Sequence, residues 1–256
     1  GVPSVPGIKL AEDLLRQAED LGVELEYETV TDFQTRVPGF QVITDCAVRE
    51  CRALILATGV RHRALGLPGE EELVGQGISY CAVCDGAFYQ GRPVAVVGGG
   101  DTALQEALFL SSRCSKVTVI HRRDLFRGES RLVQQLREKN NVEFRLSCTV
   151  EALQSGPEGL TGLTLRDLKQ DKALDLPVDG LFVAVGQEPH SQAFANLVMT
   201  DDQGYFLAGE NCATSLPGVF AAGDCRVKSV RQLTTAVGDG AVAGLAASAY
   251  VDGRQK

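Results

Sequence analysis

Two cysteines with two residues between them, Cys81 and Cys84, followed at once by Asp85, form the stretch of this sequence best equipped for chemistry. A C-x-x-C pair can close a small disulfide ring, and such pairs commonly hold a thiol of lowered pKa. The same spacing also serves as half of a zinc site, which needs a second pair of ligands. No second pair has that spacing, since Cys46 and Cys51 are five positions apart and lead into an apolar run. The six cysteines at 46, 51, 114, 148, 212 and 225 read mostly as buried small hydrophobes. A chain of 256 residues needs no disulfide staples, so a reducing cytoplasm is the expected compartment.

A second constellation follows the cysteines. Gly98-Gly99-Gly100-Asp101-Thr102-Ala103 stands between an apolar strand pattern, Val94–Val97, and a helical pattern that runs to about Ser112. In this G-x-G-x-x-A reading Gly98 makes the tight turn and Gly100 lets backbone approach a pyrophosphate, while Ala103 permits close helix–strand packing. The helix N-terminus behind the loop favours an anion. The next strand pattern, Val117–Ile120, ends in His121-Arg122-Arg123-Asp124-Leu125-Phe126-Arg127. An acidic residue there would bond a ribose hydroxyl. The guanidinium forks of Arg122, Arg123 and Arg127 instead suit a 2′-phosphate, so NADPH is expected rather than NADH.

A nicotinamide gives up two electrons as hydride, whereas a disulfide takes them through thiolate chemistry. An intermediary such as a flavin is therefore expected. Two strand-end glycine turns suit one. Ala57-Thr58-Gly59 ends one apolar run, and Gly218-Val219-Phe220-Ala221-Ala222-Gly223-Asp224 ends another in a carboxylate able to bond a ribose or ribityl hydroxyl.

The elements that must position these groups alternate between helix and strand. Ile8–Leu21 has helical periodicity, with Gly22 placed to end it. Val23–Tyr27 and Phe40–Thr44 alternate as strands do, and Ala53–Ala57 reads as a wholly buried strand. Leu132–Lys139 reads as helix, Val142–Leu146, Thr161–Leu165, Leu181–Val185 and Val219–Ala222 as strands, and Arg231–Val251 as a last helix. The pattern indicates an α/β fold with a largely parallel sheet. Leu65–Gly69 and Gln187–His190 read as linkers, giving an outer part, 1–66 and 187–256, and an inner part, 67–186. A net charge of −8 argues against nucleic acid or an anionic membrane as partner. No apolar run approaches the ~20 residues of a membrane span. The first seven residues lack the charged and apolar regions of a signal peptide.

Taken together, Cys81-Ala82-Val83-Cys84-Asp85-Gly86, the G-x-G-x-x-A loop, H-R-R-x-x-x-R, A-T-G, G-V-F-A-A-G-D and Arg231-Gln232 resemble the low-molecular-weight, flavin-dependent thioredoxin reductases, in that family's order and over essentially all 256 residues. The resemblance implies two Rossmann-like nucleotide-binding domains. An NADPH domain carrying the C-x-x-C, 67–186, is inserted into an FAD domain formed by 1–66 and 187–256, and it rotates about hinges near Pro68 and Pro189. It also implies a role for each residue. Cys84 is the flavin-proximal thiol, Cys81 attacks the disulfide of thioredoxin or a thioredoxin-like protein, and Asp85 is the acid/base. Arg122 and Arg127 hold the 2′-phosphate, and Asp224, Arg231 and Gln232 contact FAD. A cytoplasmic homodimer is implied as well.

The family pattern departs from this chain at the start. It opens with a strand and a G-x-G-x-x-G loop for the FAD pyrophosphate, and nothing before Gly59 resembles that loop. Gly1 corresponds to a point roughly 50 residues into the pattern, about one βα unit with an extra strand. The FAD domain is thus read as N-terminally incomplete and the whole protein as longer. The alternative reading is a non-catalytic NADP-binding fragment without flavin.

Overall fold

The computed structural model describes residues 5–253, and its chain divides into two compact units, one up to Gly59 and again from Pro189, the other Val60–Glu188.

The first unit opens with helix α1, Gly7–Asp20. Gly22 follows it with φ 82°, the left-handed conformation that closes helices. The Val23–Tyr27 alternation forms no strand: its apolar positions Val23 and Tyr27 are exposed, and no described strand offers a ladder to its backbone. An antiparallel meander comes next, with β1 Val30–Arg36, β2 Gly39–Thr44 and β3 Val48–Cys51 in that order. Strand β4, Leu54–Leu56, then leads to Gly59. Only part of it is buried, because Leu56 faces the core while Ile55 is 39% exposed.

The second unit begins at β5, Val60–His62. Its parallel sheet gathers β6 Ile78–Ser79, β7 Pro93–Gly98, β8 Lys116–His121, β9 Val142–Leu146 and, after a three-stranded antiparallel sheet, β13 Gly180–Ala184. The antiparallel strands are β10 Cys148–Gly156, β11 Gly159–Asp167 and β12 Lys172–Pro177. The parallel order β6-β13-β7-β8-β9 is that of a dinucleotide-binding sheet, with the strand order reversing beside β7. Helix α2, Ala82–Asp85, runs into a 3-10 turn at Gly86–Tyr89, and α3, Asp101–Ser111, and α4, Ser130–Arg137, complete the unit before β14, Gln187–Pro189, leaves it.

Successive residues of β7 point to opposite faces, and each face has its own core. Val94 and Val96 pack with Ala103, Leu104, Ala107 and Leu110 of α3. Ala95 and Val97 pack with Leu160, Leu163 and Leu165 of β11. Helices thus cover one face of this sheet and a second sheet covers the other.

The first linker reading needs correction. Glu70 is buried and its carboxylate accepts the backbone N–H groups of Leu65 and Gly66, each at 2.8 Å, and of Leu67 at 3.2 Å. Those bonds fasten Leu65–Gly69 inside the second unit, so the chain crosses at Gly59–Val60 rather than after Gly66.

Back in the first unit, β15, Val219–Ala221, pairs parallel with β4, Ala221 opposite Leu56. Helix α5, Leu233–Gly253, packs on both strands. Phe33, Phe40, Leu56, Phe194 and Phe206 fill the core beneath.

Candidate redox and dinucleotide sites

Cys81 and Cys84 form a disulfide with Cα atoms 5.3 Å apart. Cys81 is the residue before the first turn of α2, and the N–H of Cys84 donates to its Sγ at 3.2 Å. Once the bond opens, such a donor would stabilise negative charge on the Cys81 sulfur. Cys81 is half-buried and Cys84 exposed. The Asp85 carboxylate accepts the Ser79 hydroxyl at 2.6 Å, and that hydroxyl also accepts the Cys81 N–H at 3.1 Å. The acid/base candidate is therefore tied through one serine to the backbone of the redox pair. Of the other cysteines, 114, 148, 212 and 225 are buried, Cys51 is intermediate and Cys46 exposed, all six free.

The glycine loop occupies the β7–α3 turn at the carboxyl end of the sheet, where α/β folds bind ligands. A Cβ on Gly98 would run into the Ala184 carbonyl and the Ala103 methyl, whereas one on Gly100 would meet nothing. Open space at Gly100 suits the approach of a pyrophosphate. The arginine segment is fixed to this loop by backbone. The Gly99 carbonyl accepts the N–H of Arg127 at 2.7 Å and of Gly128 at 3.1 Å, and Asp101 Oδ1 accepts the Glu129 N–H at 2.7 Å. Arg122, Arg123 and Arg127 are exposed, and none is in an ion pair among the described residues. Three free guanidinium groups beside a helix N-terminus fit a nucleotide carrying a 2′-phosphate.

Two predicted members of this site have other partners. The His121 ring is buried, with Nε2 against the Leu125 carbonyl at 3.2 Å and Phe126 stacked on it. Burial pushes its pKa down, which keeps the ring towards neutral, so it shapes the loop and adds little charge. Asp101 spends its carboxylate on Glu129. Thr102 is exposed on the first turn of α3.

In the first unit the register of β4 and β15 sets their carboxyl ends side by side. Thr58 and Asp224 follow those ends, and each has one buried side-chain oxygen, Thr58 Oγ1 and Asp224 Oδ1, without a hydrogen-bond partner among the described residues. Buried polar atoms are ordinarily bonded, so these two fit a ligand hydroxyl. Gly59 and Gly223 take φ of 66° and 78°, which their turns require. Arg231 joins the group, its Nε donating to the Asp224 carbonyl at 3.3 Å and its guanidinium lying 4.1 Å above the Tyr205 ring. The Gln232 N–H is taken by Thr235 Oγ1 at 3.1 Å, at the start of α5.

Sequence reasoning missed Asp239 and Glu106. Asp239, buried in α5, accepts from Arg226 Nε and Nη2, Lys228 Nζ and the Gly223 N–H within 3.0 Å. Glu106, in α3, accepts the Ala82 N–H at 3.4 Å. A carboxylate inside an otherwise small or apolar helical stretch was the available signal for Asp239. Glu106 had none.

A family model described as pyridine nucleotide-disulphide oxidoreductase matches residues 9–240. The chain is 42% identical over 252 residues to a thioredoxin reductase of Listeria monocytogenes, covering 98% of this chain and 79% of the relative. A thioredoxin reductase of Coxiella burnetii is 42% identical over 258 residues, covering 98% and 81%. The crystal structure of thioredoxin reductase from Streptococcus pyogenes superposes with a TM-score of 0.93 at 37% identity, covering 99% of this chain and 83% of that one. By its site geometry and by these likenesses, the chain belongs to the pyridine nucleotide-disulphide oxidoreductase family, grouped with its thioredoxin reductases.

Proposed function

We propose that this chain is a thioredoxin-disulfide reductase, an NADPH-dependent flavoprotein that passes electrons through FAD to the Cys81–Cys84 disulfide and on to thioredoxin or a thioredoxin-like protein. One observation carries the reading: α3, whose N-terminus follows the dinucleotide loop, packs directly against α2, which holds the redox pair. When bound, NADPH supplies a hydride and FAD converts it into the electron pair that a disulfide accepts.

The residues divide that work. Gly98, Gly100, Thr102 and Ala103 shape the turn for the pyrophosphate, Arg122, Arg123 and Arg127 grip the 2′-phosphate, and His121 and Asp101 hold that grip in place. Thr58, Gly59, Gly223, Asp224, Arg231 and Gln232 hold the flavin nucleotide, the two orphan oxygens being its hydroxyl contacts. Cys84 is the flavin-proximal sulfur. Cys81 attacks the substrate disulfide as a thiolate steadied by the Cys84 N–H, forming a mixed disulfide and expelling one thioredoxin thiolate. Asp85 takes the Cys84 proton, Cys84 attacks the Cys81 sulfur and expels the second thioredoxin thiolate, and the proton passes from Asp85 to that thiolate.

Two further parts of the reading are the homodimer and the cytoplasmic setting. No helix among the described residues is long and apolar enough to cross a membrane.

Purified protein should carry flavin absorbance and reduce a disulfide reporter with NADPH only when thioredoxin is present. Cys84→Ser should trap a mixed disulfide with thioredoxin, and Cys81→Ser should abolish turnover. Full activity in Cys81→Ser would sink the reading. Colourless protein that binds NADPH without turnover would favour the nucleotide-binding fragment instead.

A further inference from the structure

Glu106 lies in α3, the helix that packs on α2. Its Oε1 accepts the N–H of Ala82, the residue after Cys81, while Oε2 is buried without a hydrogen-bond partner among the described residues. A buried carboxylate with an unmet oxygen is costly as an anion. Burial accordingly pushes its pKa up to about 7, with the Ala82 N–H pulling the other way.

Reduction of the adjacent pair changes the charge this carboxyl meets. Two electrons and one proton break the S–S bond into one thiol and one thiolate, and the Cys84 N–H favours the thiolate on Cys81. That charge arises one residue from the peptide that Glu106 grips, and like charges so close disfavour each other. We infer that Glu106 is a redox-linked proton site, taking one proton from water when the Cys81–Cys84 bond is reduced and releasing it when the bond reforms.

In balance, disulfide and carboxylate take up two electrons and two protons and yield a thiol, a thiolate and a neutral carboxyl. The electrons are those of the reductase activity, so the inference rests on the reading of this pair as the redox centre. A neutral Glu106 spares the Cys81 thiolate a second negative charge and thereby keeps the nucleophile ionised at neutral pH.

Other ionisable groups on the elements around α3 must be separated from it. Helix α2 brings Asp85, bonded to Ser79. Helix α4 brings Arg131 and Arg137. Strand β8 brings Lys116, 2.7 Å from Glu143, and His121, against the Leu125 carbonyl. Strands β7 and β13 carry no ionisable side chain. Asp85 is therefore the group to control for.

The test is the reduction potential of the pair in the whole protein, by equilibration with a dithiol buffer across neutral pH, in wild type, E106Q and D85N. Above pH 7, where the oxidised state leaves Glu106 ionised, the wild type should approach an extra tenfold change in equilibrium constant per pH unit, about 30 mV for a two-electron couple. E106Q keeps an oxygen for Ala82 and should lose that extra slope, while D85N should retain it. Superimposable wild-type and E106Q profiles, or loss of the slope in D85N, would overturn the inference. Should E106Q not fold, the reduced-minus-oxidised infrared difference of wild type and D85N decides: both should gain a protonated-carboxyl band on reduction, and its absence overturns the assignment. A pair that equilibrates with the dithiol but not with NADPH counts against the reductase reading alone, because the pH profile still reports on Glu106.

Discussion

At the scale of single residues, the two sulfurs of the redox pair have different surroundings although the motif treats them alike. Cys81 receives a backbone donor and is half-buried, while Cys84 is exposed. The arginine grip makes a second residue-scale claim. Replacing Arg122 and Arg127 together by Ala should raise the KM for NADPH by about tenfold to hundredfold, or about 1.4–2.8 kcal/mol, and leave NADH kinetics nearly unchanged. Steady-state assays with both nucleotides decide, and equal losses would mean that the arginines do not read the phosphate. In the first unit, Asp224→Ala removes an orphan oxygen, so retained flavin measured by equilibrium dialysis should fall by about tenfold or more, the worth of a hydrogen bond involving a charged group. Unchanged retention would place the flavin elsewhere.

At the scale of elements, the strap from Gly223 to Lys228 is bolted to α5 by Asp239, whose carboxyl is held well below the usual carboxylate range by the Arg226 guanidinium first and then by Lys228 and the Gly223 N–H, against the opposing pull of burial. Removing one partner of a buried ionic cluster costs about 3–5 kcal/mol, so Asp239→Asn should lower the denaturant midpoint sharply and loosen the turn that presents Asp224. The depressed pKa fixes the sign with pH. The stabilisation is complete above the unfolded value of about 3.9 and is lost as pH falls through the folded one, and Asp239→Asn should lack that acid-side decline. Glu106 has the opposite sign. Its raised pKa makes the fold more stable below about 4.3 and less so as pH climbs to about 7, a slope that E106Q should flatten in urea titrations across that window. A glycine outside the fingerprint matters at this scale too. A Cβ at Gly99 would enter the His121 ring, so Gly99→Ala should shift the arginine segment and weaken NADPH binding, with an overpacking cost of about 1–3 kcal/mol. Wild-type nucleotide affinity in Gly99→Ala would show that the ring can give way.

At the scale of the whole molecule, both cores of the second unit are built from residues of that unit alone, one on each face of its parallel sheet. The segment 60–188 expressed by itself should therefore unfold cooperatively and bind NADPH without flavin. Circular dichroism melts and nucleotide fluorescence titration check this, and a segment without a cooperative transition would show that its folding needs the rest of the chain.

The candidate redox and nucleotide groups were legible in the sequence because the chemistry they suggest is local. A two-residue gap between cysteines, a strand-loop-helix turn that tolerates only glycine at Gly98, and a cluster of arginines at the next strand end each depend on neighbours in the chain. Strands β7, β13 and β15 were legible for the same reason, as apolar runs stopped by glycine, whereas the two-residue β6 was not. The second face of the sheet was not. Of its three strands only β11 was legible, as the Thr161–Leu165 pattern, because β12 alternates weakly and is mostly exposed and β10 and β12 pair only with β11. The boundary was missed because Leu65–Gly69 has the composition of a linker, and only the Glu70 carboxylate folded back onto its N–H groups makes it rigid. Glu106 and Asp239 show the same division. What sequence by itself determined is which groups can react and bind, since residue type and spacing along the chain suffice for that. Which carboxyls are buried, what they grip and where their pKa values lie was decided only by the tertiary structure, because burial and long-range hydrogen bonds bring together residues far apart in sequence.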